Sequence, residues 1–176
     1  SRMGKDKATL VLPNNETLLS YICRRLSIFG ERKTILGAWG VEDGWSSYPD
    51  SSPGKGPAIA LRNFIRQLDG VDFLIVLTVD MPLIDIALIR NLQNWVLSRQ
   101  KSSWCVHLGE RMCAFPLVLS SDNFDSICRG KSAKISDLVK DANGLYFPSS
   151  MFTQEKLLNI NHPHQWEQFC SDYFFV

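Results

Sequence analysis

The chain has 176 residues, 45% hydrophobic and 21% charged, an ordinary composition that argues against a disordered chain. Nineteen Lys and Arg against eighteen Asp and Glu leave a net charge of +1, so no global field draws the protein onto nucleic acid or an anionic membrane. Any anion it binds must be held by a local site.

Residues 16–30 (ETLLSYICRRLSIFG) put Leu18, Leu19, Ile22, Cys23, Leu26 and Phe29 at helical spacing, with Gly30 as a stop. Residues 33–38 (KTILGA) predict a short strand, and 39–56, rich in Gly, Ser, Pro and Trp without a period, predict a long loop. Helical spacing returns over 57–70, with Pro57 in the first turn. Residues 72–79 (DFLIVLTV) form a near-continuous apolar run closed by Asp80-Met81-Pro82, as in a strand buried on both faces of a parallel sheet. An amphipathic helix is expected over 83–99, then strands at 103–107 and 112–119 joined by a hairpin loop at 108–111. Helices near 121–128 and 135–141, a short strand at 145–147 and a closing helix at 163–173 complete the chain.

This alternation predicts an α/β class, an open and mostly parallel sheet with helices on both faces and a late antiparallel hairpin. No repeat or second-domain boundary is visible, so 1–176 reads as one domain. The opening is polar and basic, and a domain of this class is expected to have its first strand upstream of residue 1. Five cysteines, none spaced C-x-x-C, fit core thiols in a reducing cytosol better than disulfides or zinc. No apolar run approaches the roughly 20 residues that span a bilayer. A cytoplasmic protein with neither membrane nor nucleic acid as partner is expected.

Ligands of such sheets sit beyond the carboxyl ends of the strands, where Asp80 and the loop before Gly56 fall. Asp80 suits Mg²⁺, which takes one or two carboxylates and completes its shell with phosphate oxygens and water. It equally suits a helix N-cap for the segment after Pro82. In RMGKDK, Arg2, Lys5 and Lys7 beside Gly4 have the charge to wrap a triphosphate, or they form a solvated basic tail. In 49–57 (PDSSPGKGP), Gly54 and Gly56 allow close backbone approach to a ligand, or form a surface turn. Asn159 and Asn161 flank Ile160 at strand spacing, two amides on one side for a polar ligand, or a turn with an N-cap. The histidines His107, His162 and His164 make no metal set with a cysteine. Neither a GxxxxGK[ST] loop nor a G-x-S-x-G elbow occurs.

Taken in order, R-M-G-x-D-K, an Asp before a P-G-x-G-P turn, an apolar strand ending D-M-P, and a late L-N-I-N-x-P resemble the molybdenum cofactor guanylyltransferase family. The resemblance spans nearly the whole chain. It implies a Rossmann-like fold of the nucleotide-diphospho-sugar transferase type, whose first strand and L-A-G-G loop would precede Ser1. It assigns Arg2 and Gly4 to the loop that holds the triphosphate and Lys7 to the nucleotide phosphates. It assigns Asp50, with Gly56, to the guanine nucleotide, Asp80 to Mg²⁺ and nucleotide, and Asn159 and Asn161 to the pterin substrate.

The reaction so implied moves GMP from GTP to molybdopterin or the molybdenum cofactor, with pyrophosphate as leaving group and Mg²⁺ as cofactor. Transient contacts with other cofactor-biosynthesis proteins are implied too. A phosphate monoester is already a nucleophile, so positioning and charge neutralisation are the protein's work. Two alternatives stand beside this: a cytidylyltransferase or other nucleotidyltransferase of the superfamily, and a non-catalytic nucleotide-binding domain. The family's Asn-containing tail after the strand that matches Lys33–Leu36 here reads Gly37-Ala38-Trp39, which bears on base choice.

Overall fold

A computed structural model describes residues 6–30, 32–37, 42–98, 106–108, 115–141, 145–147 and 152–174. In chain order the elements are α1 (Leu18–Arg25), β1 (Thr34–Leu36), β2 (Ser46–Tyr48), α2 (Pro57–Ile65), β3 (Phe73–Val76), α3 (Ile86–Leu97), β4 (Val106–Leu108), β5 (Leu117–Ser120), α4 (Phe124–Arg129), α5 (Ile135–Asp141), β6 (Leu145–Phe147) and α6 (Pro163–Phe174). The chain divides into two compact units: Ser1–Gly30, Thr78–Ile89 and Phe152–Val176 form one, and Glu31–Leu77 with Arg90–Met151 the other. Among the described residues no helix is long and apolar enough to cross a membrane.

In the first unit, α1 starts one residue after Thr17, whose hydroxyl oxygen accepts the Ser20 N–H at 3.1 Å, and it ends before the expected stop at Gly30. Before it the chain doubles back through Asn15, at φ 65°, with Leu12 N–H donating to the Glu16 carbonyl at 2.8 Å. The helical spacing of α6 brings Trp166, Phe169 and Cys170 onto one face, and Phe169 is fully buried. It packs with Leu12, Leu18, Tyr21, Leu83 and Ile160 into one core. Burial pushes the Cys170 thiol up from its ordinary range, in keeping with a packing role.

The second unit carries three strand pairs among its described residues. β1 runs parallel to β2, β4 parallel to β6, and β3 antiparallel to β5, with Phe73 opposite Ser120 and Val76 opposite Leu117. The late antiparallel pair is therefore present, with β5 running antiparallel to β3. Leu117, Val118 and Leu119 are all fully buried, as in a strand covered on both faces of its sheet, and β3 beside it is also apolar throughout. Leu108, expected in the hairpin loop, closes β4; residues 109–114 lie outside the described ones.

β2 corrects the expected loop at 39–56. Its Ser-Ser-Tyr sequence has no apolar alternation to betray a strand, and Ser46 and Ser47 are exposed. It is held by backbone pairing and by a 2.8 Å hydrogen bond between the Thr34 and Ser46 hydroxyls. The unit's core gathers Ala58, Leu61 and Ile65 of α2 with Leu117, Leu119, Ile127 and Leu138. Within it Arg62 is 2% exposed. Its Nε donates to the Ile127 carbonyl at 2.7 Å and its Nη1 to the Ser132 carbonyl, so the buried charge is spent on backbone.

Candidate active site

Among the described residues, the interactions that join predicted site residues lie in the first unit. Asp6 caps a 3₁₀ turn, Lys7–Thr9, its Oδ1 accepting the Ala8 N–H at 3.0 Å. That turn carries Lys7 Nζ to within 2.8 Å of Asp80 Oδ2 and 2.7 Å of Asn161 Oδ1, donating to both. Lys7 and Asp80 are only 19% and 18% exposed at their side chains, so the pair is poorly screened by solvent. One ammonium thus joins three segments that are distant in sequence.

Asp80 is fixed at three points. Its backbone carbonyl accepts the Ile160 N–H at 2.8 Å, its Oδ1 accepts the Thr78 hydroxyl at 2.8 Å, and its Oδ2 faces Lys7. The N-cap alternative falls instead to Asp85, whose Oδ1 accepts the Leu88 N–H at 2.9 Å at the start of α3. Burial alone would raise the Asp85 carboxyl. Hydrogen bonds from Lys156 Nζ, at 2.5 Å, and from the Leu88 N–H, with the Lys156 and Arg25 charges, outweigh it and hold the group below its ordinary value.

Asn159 and Asn161 sit side by side, Asn161 Nδ2 donating to Asn159 Oδ1 at 2.6 Å, while Ile160 between them is fully buried. The capping alternative for these amides is taken by Gln165. Its Oε1 accepts the backbone N–H groups of Asn161, at 2.7 Å, and His162, at 2.9 Å, ahead of Pro163 in the first turn of α6. The Asn161 side chain is thereby left for Lys7 and Asn159. His162 and His164 stack at 5.6 Å, and no group of three or more His, Cys, Asp or Glu poised for a metal exists among the described residues.

The other predicted residues stand differently. Arg2 and Gly4 lie outside the described residues. In the second unit, Asp50 Oδ1 accepts the Ser52 N–H at 2.8 Å, an Asx turn. Gly56, at φ 95°, opens α2, and a Cβ there would meet the Ala133 carbonyl oxygen at 2.9 Å. The close approach Gly56 permits is thus to the chain's own backbone. Gly54, at φ 77°, faces open space.

Sequence reasoning missed Thr78 and Gln165. Each left a signal: a hydroxyl two residues before the strand-end acid, and an amide three residues after a helix-opening position followed by Pro.

Residues 1–150 match the family described as a MobA-like NTP transferase domain. The chain belongs to that family. A search among curated proteins finds no match. Among solved structures, the MobA-like chain is similar to molybdopterin-guanine dinucleotide biosynthesis protein A from Archaeoglobus fulgidus, at 15% identity and TM-score 0.77, covering 97% of this chain and 93% of that one. It is similar to a cytidylyltransferase from Leptospira borgpetersenii, at 19% identity and TM-score 0.71, covering 99% and 85%. Rv0371c of Mycobacterium tuberculosis, solved in complex with manganese, gives 15% identity and TM-score 0.66, covering 96% and 94%. At these identities the likeness is one of fold: the MobA-like chain shares an α/β architecture with all three.

Proposed function

We propose that this nucleotidyltransferase-family chain, acting as one domain in the cytoplasm, moves GMP from GTP to molybdopterin or the molybdenum cofactor. The terminal phosphate oxygen of the acceptor forms a bond to the α-phosphorus of GTP in line. The bond from that phosphorus to the β-phosphate bridging oxygen breaks, and pyrophosphate leaves with the electron pair. The observation that carries the reading is the single ammonium of Lys7 shared by Asp80 Oδ2 and Asn161 Oδ1. Both acceptors are hard oxygens converging on one positive charge, a donor set that fits Mg²⁺, which needs few protein ligands when phosphates supply the rest. The manganese complex of Rv0371c is in keeping with a divalent ion. Mg²⁺, when bound, neutralises phosphate charge and polarises the α-phosphoryl group.

Asp80 and Asn161 hold the ion in this reading, and Lys7 moves from them to the nucleotide phosphates. By the family resemblance, Arg2 and Gly4 are assigned to the triphosphate loop, and Asp50 and Gly56 to the nucleotide. Asn159, bonded to Asn161, serves the pterin substrate in this reading. Asn161 so acts beside Asp80 as well as toward the acceptor, a closer tie between the two ends of the reaction than sequence spacing implies.

Incubation with molybdopterin, Mg²⁺ and each of GTP, CTP, ATP and UTP tests the proposal, with pterin dinucleotide and pyrophosphate followed chromatographically. Product from GTP alone is expected. Product from CTP alone favours the cytidylyltransferase reading, which Gly37-Ala38-Trp39 in place of an Asn-containing tail keeps in view. Nucleotide binding without any product would mark a non-catalytic domain.

A further inference from the structure

We infer that Thr78 sets the cation preference of the site, by holding Asp80 so that a single carboxylate oxygen is presented. The inference rests on the reading of Asp80 as the metal carboxylate. Thr78 Oγ1 donates to Asp80 Oδ1 at 2.8 Å, and both residues are half-buried. Two backbone bonds keep the pair from swinging as a unit: Met81 N–H donates to the Thr78 carbonyl at 3.3 Å, and Ile160 N–H to the Asp80 carbonyl at 2.8 Å. The carboxylate plane is therefore set by a neutral donor on one oxygen, while the other accepts from the Lys7 ammonium.

That arrangement discriminates between ions. Mg²⁺ and Mn²⁺ take octahedral oxygen shells in which one carboxylate oxygen suffices, whereas Ca²⁺ takes 6–8 oxygens at longer range and readily uses both oxygens of a carboxylate. A hydroxyl donor on Oδ1 competes for the lone pairs that the second contact needs, and it stops the carboxylate from turning to offer them. No charge is spent on this selectivity, because a threonine hydroxyl leaves the carboxylate fully negative. Thr78 is thus a positioning residue, acting on the ion through Asp80.

The test measures Mn²⁺ binding by electron paramagnetic resonance, on the protein alone and with GTP present, with Ca²⁺ as competitor. Thr78→Val keeps the shape and removes the donor. It should lower the preference for Mn²⁺ over Ca²⁺ about tenfold, through weaker Mn²⁺ binding, stronger Ca²⁺ binding or both. Thr78→Ser restores the hydroxyl and should restore the preference, which a merely structural role for Thr78 would not produce. Asp80→Asn separates the two readings. If it abolishes Mn²⁺ binding while Thr78→Val leaves the Mn²⁺/Ca²⁺ ratio unchanged, the inference about Thr78 is overturned and Asp80 stands. If Asp80→Asn leaves Mn²⁺ binding intact, the metal role of Asp80 is overturned and the inference falls with it.

Discussion

Lys7 is the counter-ion of Asp80, with its ammonium 2.8 Å from Oδ2, the carboxylate oxygen that Thr78 does not occupy. A divalent ion at Asp80 must compete with that ammonium, whereas a nucleotide triphosphate draws it away. Lys7→Met should therefore act in opposite directions on the two ligands. Mn²⁺ binding by the protein alone should strengthen roughly fivefold, for an ion pair of about 1 kcal/mol. GTP binding in Mg²⁺ should weaken. Weaker binding of both ligands would show that Lys7 does not compete with the metal.

Asp80→Asn should lower transfer by at least about 100-fold, since several kcal/mol of charge stabilisation depend on the metal it holds. The fold should persist, because the Asp80 carbonyl still accepts from Ile160 and an amide oxygen can still accept from Thr78. Circular dichroism melting checks the second half of this expectation. Turnover near wild type would remove Asp80 from the chemistry.

Asn161→Ala removes the acceptor that shares Lys7 and the donor to Asn159. A lost hydrogen bond to a charged group costs about 1.5–3 kcal/mol, so transfer should fall by roughly tenfold or more. Separate titrations with GTP and molybdopterin locate the loss. A defect in molybdopterin binding alone would put Asn161 wholly on the acceptor side, away from Asp80's work.

Gly56→Ala and Gly54→Ala should differ in stability. Both positions have positive φ, which costs an L-residue roughly 1–2 kcal/mol. At Gly56 the new Cβ would also lie 2.9 Å from the Ala133 carbonyl oxygen, whereas at Gly54 it would meet nothing within 4 Å. Thermal melting should show the Gly56 variant clearly less stable than the Gly54 variant. Equal losses would mean that the loop carrying Ala133 yields without cost.

The acid limb of stability should depend on Asp85. Its carboxyl titrates below its ordinary value in the folded chain, so its contribution is full above the unfolded value and is lost as pH falls through the folded one. The relevant window lies below about pH 4, from the ordinary carboxylate range of Asp. Asp85→Asn should flatten the decline of melting temperature there. An unchanged acid limb would show that the Lys156 and Leu88 contacts do not favour the charged form.

The sequence made Asp80 visible because a carboxylate after four apolar residues of β3 and an apolar turn has few ways to be satisfied. It made the pair Asn159 and Asn161 visible through strand spacing around Ile160. That Lys7 joins Asp80 to Asn161 was not legible, since the three come from segments 73 and 154 residues apart, and periodicity is blind to such distances. β2 escaped for the opposite reason: its pairing is made by backbone and hydroxyls on an exposed face, which leaves no apolar pattern. The pairing of β5 with β3 escaped because the two strands are distant in sequence, and an apolar run does not name its partner.

Gln165 anchors the backbone on both sides of the Asn161–His162 peptide with an amide oxygen. A glutamate in that place would gain from the positive end of α6, but its hold on the two N–H groups would weaken on protonation. An amide does not titrate. The anchor that Gln165 gives to the Asn161 backbone is therefore insulated from acidity, and this part of the scaffold adds no titration of its own to the site.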